Sequence, residues 1–361
     1  MTTKRTHLWR MSRRAVLAGA ASAVAMPFVV RRGLAAQPLR ISVPGPMDDW
    51  QGKGLVKFKE VLDQSVPGAF DVQIHYNGTL FAQGTEIEAM QRGNLECGVI
   101  TPQDYAAIIP EYSIFTTGYM YRDAAHLDAV FDGDIGQEYK ARVAKDVGVQ
   151  ILRSQFFGTR HVILRQPREV QTPADLSGLK LRMPGSESWL FLGNALGGNA
   201  TPLAFEEIYL AMQTGTIDGL ENPLPDAMAS KFYEVAQQVV LTGHLIASNF
   251  VTVAGDFWNG LTPELQKAID TAEAEGKKVS DEGVAATEGC QGLLRKQGRQ
   301  GDDTRRRRIP RPGPEEIPRI RFRQGLARGH AGAHQQGRSL IAASSVMDLL
   351  TPPAPKEPAD V

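Results

Sequence analysis

Residues 179–223 read LKLRMPGSESWLFLGNALGGNATPLAFEEIYLAMQTGTIDGLENP, and the changes of pattern inside this stretch decide the fold. Leu179–Met183 is a short run that reads as a strand. Ala204–Thr214 reads as a helix, with Gly215 placed to end it. Working outward, His161–Arg165, Val239–Thr242 and Phe250–Ala254 read as further strands. Thr262-Pro263 supplies a side-chain cap and a proline at the first helical position, which starts a long helix.

The N-terminal half repeats the pattern. Leu39, Ile41 and Val43 alternate as a strand does; Leu55, Phe58, Val61 and Leu62 recur at helical spacing; Phe70, Val72, Ile74 and Tyr76 alternate again before an Asn77-Gly78 turn. A helix from about Thr85 puts Ile87 and Met90 on one face and ends at Gly93, and Val99-Ile100 reads as a buried strand. Strands alternating with helices predict an α/β layered fold with a largely parallel sheet. Two such units predict two lobes with a cleft between them. A repeat period of 20–50 residues, the mark of a solenoid, is absent.

Bulk composition narrows the function. The chain has 361 residues, enough for two domains, with 42% hydrophobic and 22% charged residues as in soluble globular proteins. Lys plus Arg balances Asp plus Glu at 40 each, so net charge makes no case for nucleic acid or a membrane surface. Cys97 and Cys290 read as two buried thiols, a single bridge being the alternative; two distant cysteines form neither a disulfide framework nor a metal cluster. The sequence contains no P-loop, nucleophile elbow, zinc helix motif or dinucleotide fingerprint, and His161 and His244 show no partners. No cofactor, no metal and no enzymatic activity are expected.

Basic residues up to Arg14 precede a small, apolar run from Ala15 to Val30, and Ser12-Arg13-Arg14-Ala15-Val16-Leu17 fits a twin-arginine export signal. The run falls short of the roughly 20 residues that span a bilayer. Ala35 and Ala36 offer cleavage before Gln37. An uncleaved anchor is the alternative.

Three stretches stand out together: Asn77-Gly78-Thr79-Leu80 through Glu86 to Gln91-Arg92-Gly93; Thr172-Pro173-Ala174-Asp175-Leu176-Ser177-Gly178-Leu179-Lys180-Leu181-Arg182-Met183-Pro184; and Phe205 to Gln213 followed by Thr216-Ile217-Asp218-Gly219-Leu220-Glu221-Asn222-Pro223. In this order and spacing they resemble the solute receptors of TRAP (tripartite ATP-independent periplasmic) transporters, the DctP-like family. The likeness covers residues 38 to 298. It implies a two-lobed periplasmic-binding-protein-like α/β fold with a hinged central cleft. Lobe I would be 37–157 plus about 246–262, and lobe II 158–245 plus parts of a 263–298 helix, after an export signal over 1–36. It also implies a periplasmic monomer that binds a small carboxylate ligand and docks on TRAP membrane permease subunits.

The resemblance carries site residues with it. Arg182 matches the principal ligand arginine, Arg160 a second basic position, and Asn222 the asparagine of a Glu-Asn-Pro turn that meets the ligand. Phe205 sits where sialic-acid-type receptors place an aromatic wall, and Trp50, Glu86 and Asn249 are further ligand-binding candidates. A guanidinium presents paired donors in the plane of a carboxylate, which a lysine cannot do. Sugar acids, sialic-acid-like hydroxyacids and C4-dicarboxylates all fit one such clamp, and the Glu-Asn-Pro turn favours a hydroxylated monocarboxylate.

After Gly298 the composition changes. Arg305–Arg308 form a basic run, and Pro310, Pro312, Pro314 and Pro318 prevent a continuous helix where the family carries helices. Regrouping the codons of residues 317–338 by one base permits YLESDFAKAWPEGMLERINKV, which looks like the missing helix. Residues 299–361 therefore read as an aberrant, frameshifted tail. The competing readings are a disordered linker, a polyanion-binding tail over 299–338, and, for the whole chain, a two-lobed α/β enzyme acting on a small acid.

Overall fold

A computed structural model describes residues 36–288. The export signal, Cys290 and the basic tail from 299 onward all lie outside the described residues. In chain order the elements are β1 (Gln37–Ser42), α1 (Trp50–Ser65), β2 (Phe70–His75), α2 (Glu86–Gln91), β3 (Cys97–Ile100), α3 (Ala124–Asp132), α4 (Asp134–Asp146), β4 (Val149–Leu164), β5 (Lys180–Met183), α5 (Glu187–Ala195), β6 (Asn199–Pro202), α6 (Ile208–Thr214), β7 (Gly219–Pro223), α7 (Leu224–Ala229), β8 (Gln238–Ala254), α8 (Gly255–Gly260) and α9 (Pro263–Glu288). Among the described residues no helix is long and apolar enough to cross a membrane.

The strands form one mixed sheet in the order β2-β1-β3-β8-β4-β7-β5-β6. Parallel pairs occupy its two ends, β2-β1-β3 and β7-β5-β6. Between them the long strands β4 and β8 pair antiparallel with each other and with their neighbours. The largely parallel sheet expected from strand–helix alternation thus holds only within each end. The separate strands expected at 239–242 and 250–254 are also one strand, because bulges interrupt the two-residue alternation without ending the pairing. Register shifts fall between Ile151 and Arg153, Phe156 and Gly158, and Arg160 and Val162, with Gly243 at φ 55° opposite the last.

Helices cover the sheet with four apolar cores, two at each end. Leu39, Ile41, Phe70 and Val72 pack with Leu55, Phe58 and Leu62 of α1 and Ile269 and Ala272 of α9. Tyr105, Phe115, Phe131, Tyr139 and Phe250 form an aromatic cluster beneath α3 and α4. At the other end, Ile208, Met212 and Leu220 make one core and Leu181, Met183, Trp189 and Leu192 another. Helices α1 and α9 approach to backbone contact, since a β-carbon on Gly54 would stand 2.8 Å from Gly276 O and one on Gly276 would stand 2.7 Å from Gly54 O.

Helix α9 also crosses β4. Arg153 reaches Asp270 at 2.7 Å, Gln155 Nε2 donates to Glu273 Oε1 at 3.0 Å, and Phe156 N–H donates to Asp281 at 2.7 Å. Burial pushes the Glu273 carboxyl up to about 8, against the opposing pull of Gln155, Arg153 and Lys277. A carboxyl raised in the folded state stabilises fully below its unfolded value and loses that contribution as pH rises through its folded value. Glu273→Gln is therefore expected to make the fall in unfolding midpoint between pH 5 and pH 9 shallower, with the variant more stable than the parent at pH 9. Thermal unfolding across that range checks it.

Candidate functional site

The carboxyl ends of β1, β3, β5 and β7 open onto one cavity, the position where α/β sheets bind ligands. Its volume is about 560 Å³ including its opening to solvent. Six of the residues singled out from the sequence line it: Arg160, Arg182, Asn222, Phe205, Glu86 and Asn249.

The two arginines differ in their partners. Arg160, on β4, is 4% exposed and makes a two-pronged pair with Glu221 of β7, Nε to Oε2 at 2.5 Å and Nη2 to Oε1 at 2.7 Å. Behind it, His244 Nε2 lies 3.1 Å from Glu221 Oε2 and His244 Nδ1 lies 2.7 Å from Thr242 Oγ1. Burial opposes ionisation of Glu221, but Arg160 and His244 outweigh it and hold the carboxyl down to about 2. His244, read from the sequence as lacking a partner, is thus tied into the site by a bulge in β8. Burial, with a smaller push from His244, holds neighbouring His161 down to about 4.

Arg182, at the carboxyl end of β5, is 1% exposed and donates to Leu203 O at 2.8 Å and to Gln83 Oε1 at 2.5 Å. No carboxylate among the described residues stands within ion-pair distance of it. Burial presses its guanidinium down to about 9, where it still carries its charge at neutral pH. A desolvated, unneutralised cation beside a polar cavity is the arrangement that recruits an anion.

The remaining lining is polar with aromatic covers. Asn222 donates to Asp226 of α7. Gly84 N–H donates to Glu86 Oε2 at 2.7 Å, while Glu86 Oε1 is buried without a partner, and burial pushes this carboxyl up to about 8. Asn249 donates to Gln51 Oε1 at 2.7 Å, leaving Gln51 Nε2 buried and unpartnered. Phe205 packs on Phe232 with ring centroids 5.6 Å apart and lies 6.0 Å from the Arg182 guanidinium carbon, so it serves both core and cavity wall.

Trp50 does not join them. Its indole N–H donates to Thr287 Oγ1 of α9 at 2.8 Å, and its ring fills the space beside Gly283. Trp50 is the first residue of α1, and the rotation of about 100° per residue turns it from the cavity while its neighbours Asp49 and Gln51 face in. Besides these two, the sequence reading missed Gln83, Asp104, Trp189 and Asp226, which also line the cavity. Asp226 alone had a legible signal, lying four residues beyond Asn222 at the start of a helix.

Residues 42–298 match the family described as bacterial extracellular solute-binding protein, family 7 (DctP). A solved TRAP periplasmic solute-binding protein from Roseobacter denitrificans, with bound 3-deoxy-D-manno-oct-2-ulosonic acid, is 42% identical with a TM-score of 0.69, covering 73% of this chain and 87% of that one. The 2,3-diketo-L-gulonate-binding periplasmic protein YiaO of Escherichia coli (strain K12) is 30% identical, covering 67% of this chain and 73% of its own length. The C4-dicarboxylate-binding periplasmic protein DctP of Rhodobacter capsulatus is 28% identical over 77% of this chain and 83% of its own.

Proposed function

This chain belongs to the DctP family, the periplasmic solute receptors of TRAP transporters, and from that premise we propose that it captures a sugar acid by an Arg182–carboxylate clamp and closes two lobes over it. The carrying observation is the contrast between the arginines: Glu221 neutralises Arg160, and Arg182 stands buried with only neutral partners. The ligand carboxylate pairs with Arg182, Asn222 contributes its amide, and Phe205 covers an apolar face. The acid bound in the Roseobacter structure and the acid in the Escherichia relative's name support this ligand class.

Lobe I comprises 37–157 plus about 246–262, and lobe II 158–245 plus parts of the helix from 263, with β4, β8 and α9 passing between them. Among the hydrogen bonds that join the lobes are two between side chains lining the cavity, Arg182 to Gln83 and Trp189 Nε1 to Thr101 Oγ1 at 3.3 Å. Opening the cleft breaks both. A ligand touching both lobes favours the shut form, which docks on the membrane permease subunits. The receptor acts as an exported monomer and returns its acid unchanged, as a transport protein does and an enzyme does not.

Thermal unfolding against a panel of aldonic, ulosonic and C4-dicarboxylic acids tests the reading. A saturable rise in midpoint with sugar acids is expected, worth ~2.7 kcal/mol at 100 times the dissociation constant. A cooperative transition that none of these acids moves overturns it.

A further inference from the structure

Charge around the cavity is lopsided. Arg160 and Arg182 are the cations that line it, facing four carboxyl groups: Asp49, Glu86, Asp104 and Asp226. Glu221 spends the charge of Arg160, so Arg182 alone remains for an incoming anion. A ligand with one carboxylate matches that single site. A second carboxylate finds no second unpaired cation and must stand beside carboxyl groups.

Two of those acids flank one loop. A β-carbon on Gly45 would stand 3.7 Å from Asp226 Oδ1 and 4.0 Å from Asp49 Oδ2. Asp226 receives the Asn222 amide, and Asp49 accepts from Gln51 N–H at 3.3 Å at the start of α1. No salt bridge engages either acid among the described residues. Nearby, Glu86 Oε1 and Gln51 Nε2 are both buried and unpartnered, the first accepting when its carboxyl is ionised and the second donating. Their residues are 2% and 3% exposed. A hydroxyl group donates and accepts at once and satisfies both kinds of atom, whereas a carboxylate only accepts.

We propose that Asp49, Asp226 and Glu86 form a charge filter within the ligand site, accepting hydroxyl groups and turning away a second carboxylate, so that the receptor takes polyhydroxy monocarboxylates and rejects the dicarboxylates of the same carbon skeleton. The proposal rests on the sugar-acid reading of the cavity and adds which acids pass. Titration gives the filter a signature. Asp49 faces Asp226 and Lys53, Asp226 faces Asp49, Arg160 and Arg182, and Glu86 faces Asp104 and Glu206. Burial above all raises all three carboxyls, Asp49 to about 6 and Glu86 to about 8. A second ligand carboxylate raises them further, so it enters only with protons, and its affinity falls as pH climbs from 6 to 8.

The test is calorimetric titration of the full chain with matched pairs, gluconate against glucarate and galactonate against galactarate, at pH 6 and pH 8. Each aldarate is expected to bind about 100-fold more weakly than its aldonate at pH 8, since like charges brought together cost several kcal/mol. The ratio should shrink at pH 6. Asp226→Asn and Asp49→Asn, the latter keeping a capping oxygen for α1, should each narrow the ratio at pH 8 by about tenfold. Aldarate binding equal to aldonate binding in the unmodified protein overturns the filter and leaves the sugar-acid reading intact. Failure of both members of both pairs to bind overturns the sugar-acid reading and the filter with it.

Discussion

Arg182→Met is expected to abolish acid binding while leaving the empty protein within about 1 kcal/mol of its original stability. The side chain makes no ion pair to lose. Its partners, Leu203 O and Gln83 Oε1, belong to partly exposed residues where water can replace the guanidinium. Removing a desolvated charge offsets part of that loss. On the ligand side the carboxylate loses its only unneutralised cation, and truncating one member of a buried charge pair costs about 2–5 kcal/mol, some 30-fold to several thousandfold in affinity. Arg182→Lys should recover only part of the binding, because an ammonium cannot meet both carboxylate oxygens in one plane. Full ligand-induced stabilisation retained in Arg182→Met would exclude the clamp.

Glu221→Leu should act in the opposite sense, on folding before binding. Glu221 is fully buried, and removing it leaves the Arg160 guanidinium and His244 Nε2 without their shared acceptor. Breaking a buried pair from one side costs ~3–5 kcal/mol, which in a protein of this size lowers the unfolding midpoint by roughly 10 °C. The double variant Arg160→Met, Glu221→Leu should regain most of that loss, since no unpaired charge remains inside. Acid gives an independent reading. With its folded value held down to about 2, Glu221 stabilises fully above the unfolded carboxyl range and loses that contribution as pH falls toward 2. The double variant should therefore lose less stability between pH 5 and pH 3 than the parent. A single variant as stable as the parent would show that the pair contributes nothing.

Local pattern carried much of the architecture. Alternation in Leu39–Val43 and Phe70–Ile74, helical spacing in Leu55–Leu62, and punctuation by Gly93, Gly215 and Thr262-Pro263 all mark real elements. Each depends on residues a few positions apart. Gly215 sits at φ 77° after α6, the left-handed conformation that suits glycine at a helix end. Thr262 Oγ1 accepts from Leu265 N–H at the start of α9. The long antiparallel strands were the exception, because bulges at Gly158 and around Gly243 break the alternation that a reader counts.

Arg182 and Asn222 were legible as residues of the cavity wall because they stand in local motifs at the ends of strands. Trp50 was misplaced for the same local reason: sequence names the neighbourhood, and one step of helical rotation decides whether Asp49, Trp50 or Gln51 faces the cavity.

By itself, then, the sequence determined the alternation of strands and helices, the family motifs, and which short segments supply the cavity. Tertiary structure alone decided how charges pair inside it. Arg160 meets Glu221 across 61 positions, Arg182 meets Gln83 across 99, and Asn249 meets Gln51 across 198. Backbone periodicity extends over a few residues and is written in side-chain order, whereas these partners depend on which strands become neighbours in the sheet. That neighbourhood leaves Arg160 neutralised by Glu221 and Arg182 without a carboxylate partner among the described residues.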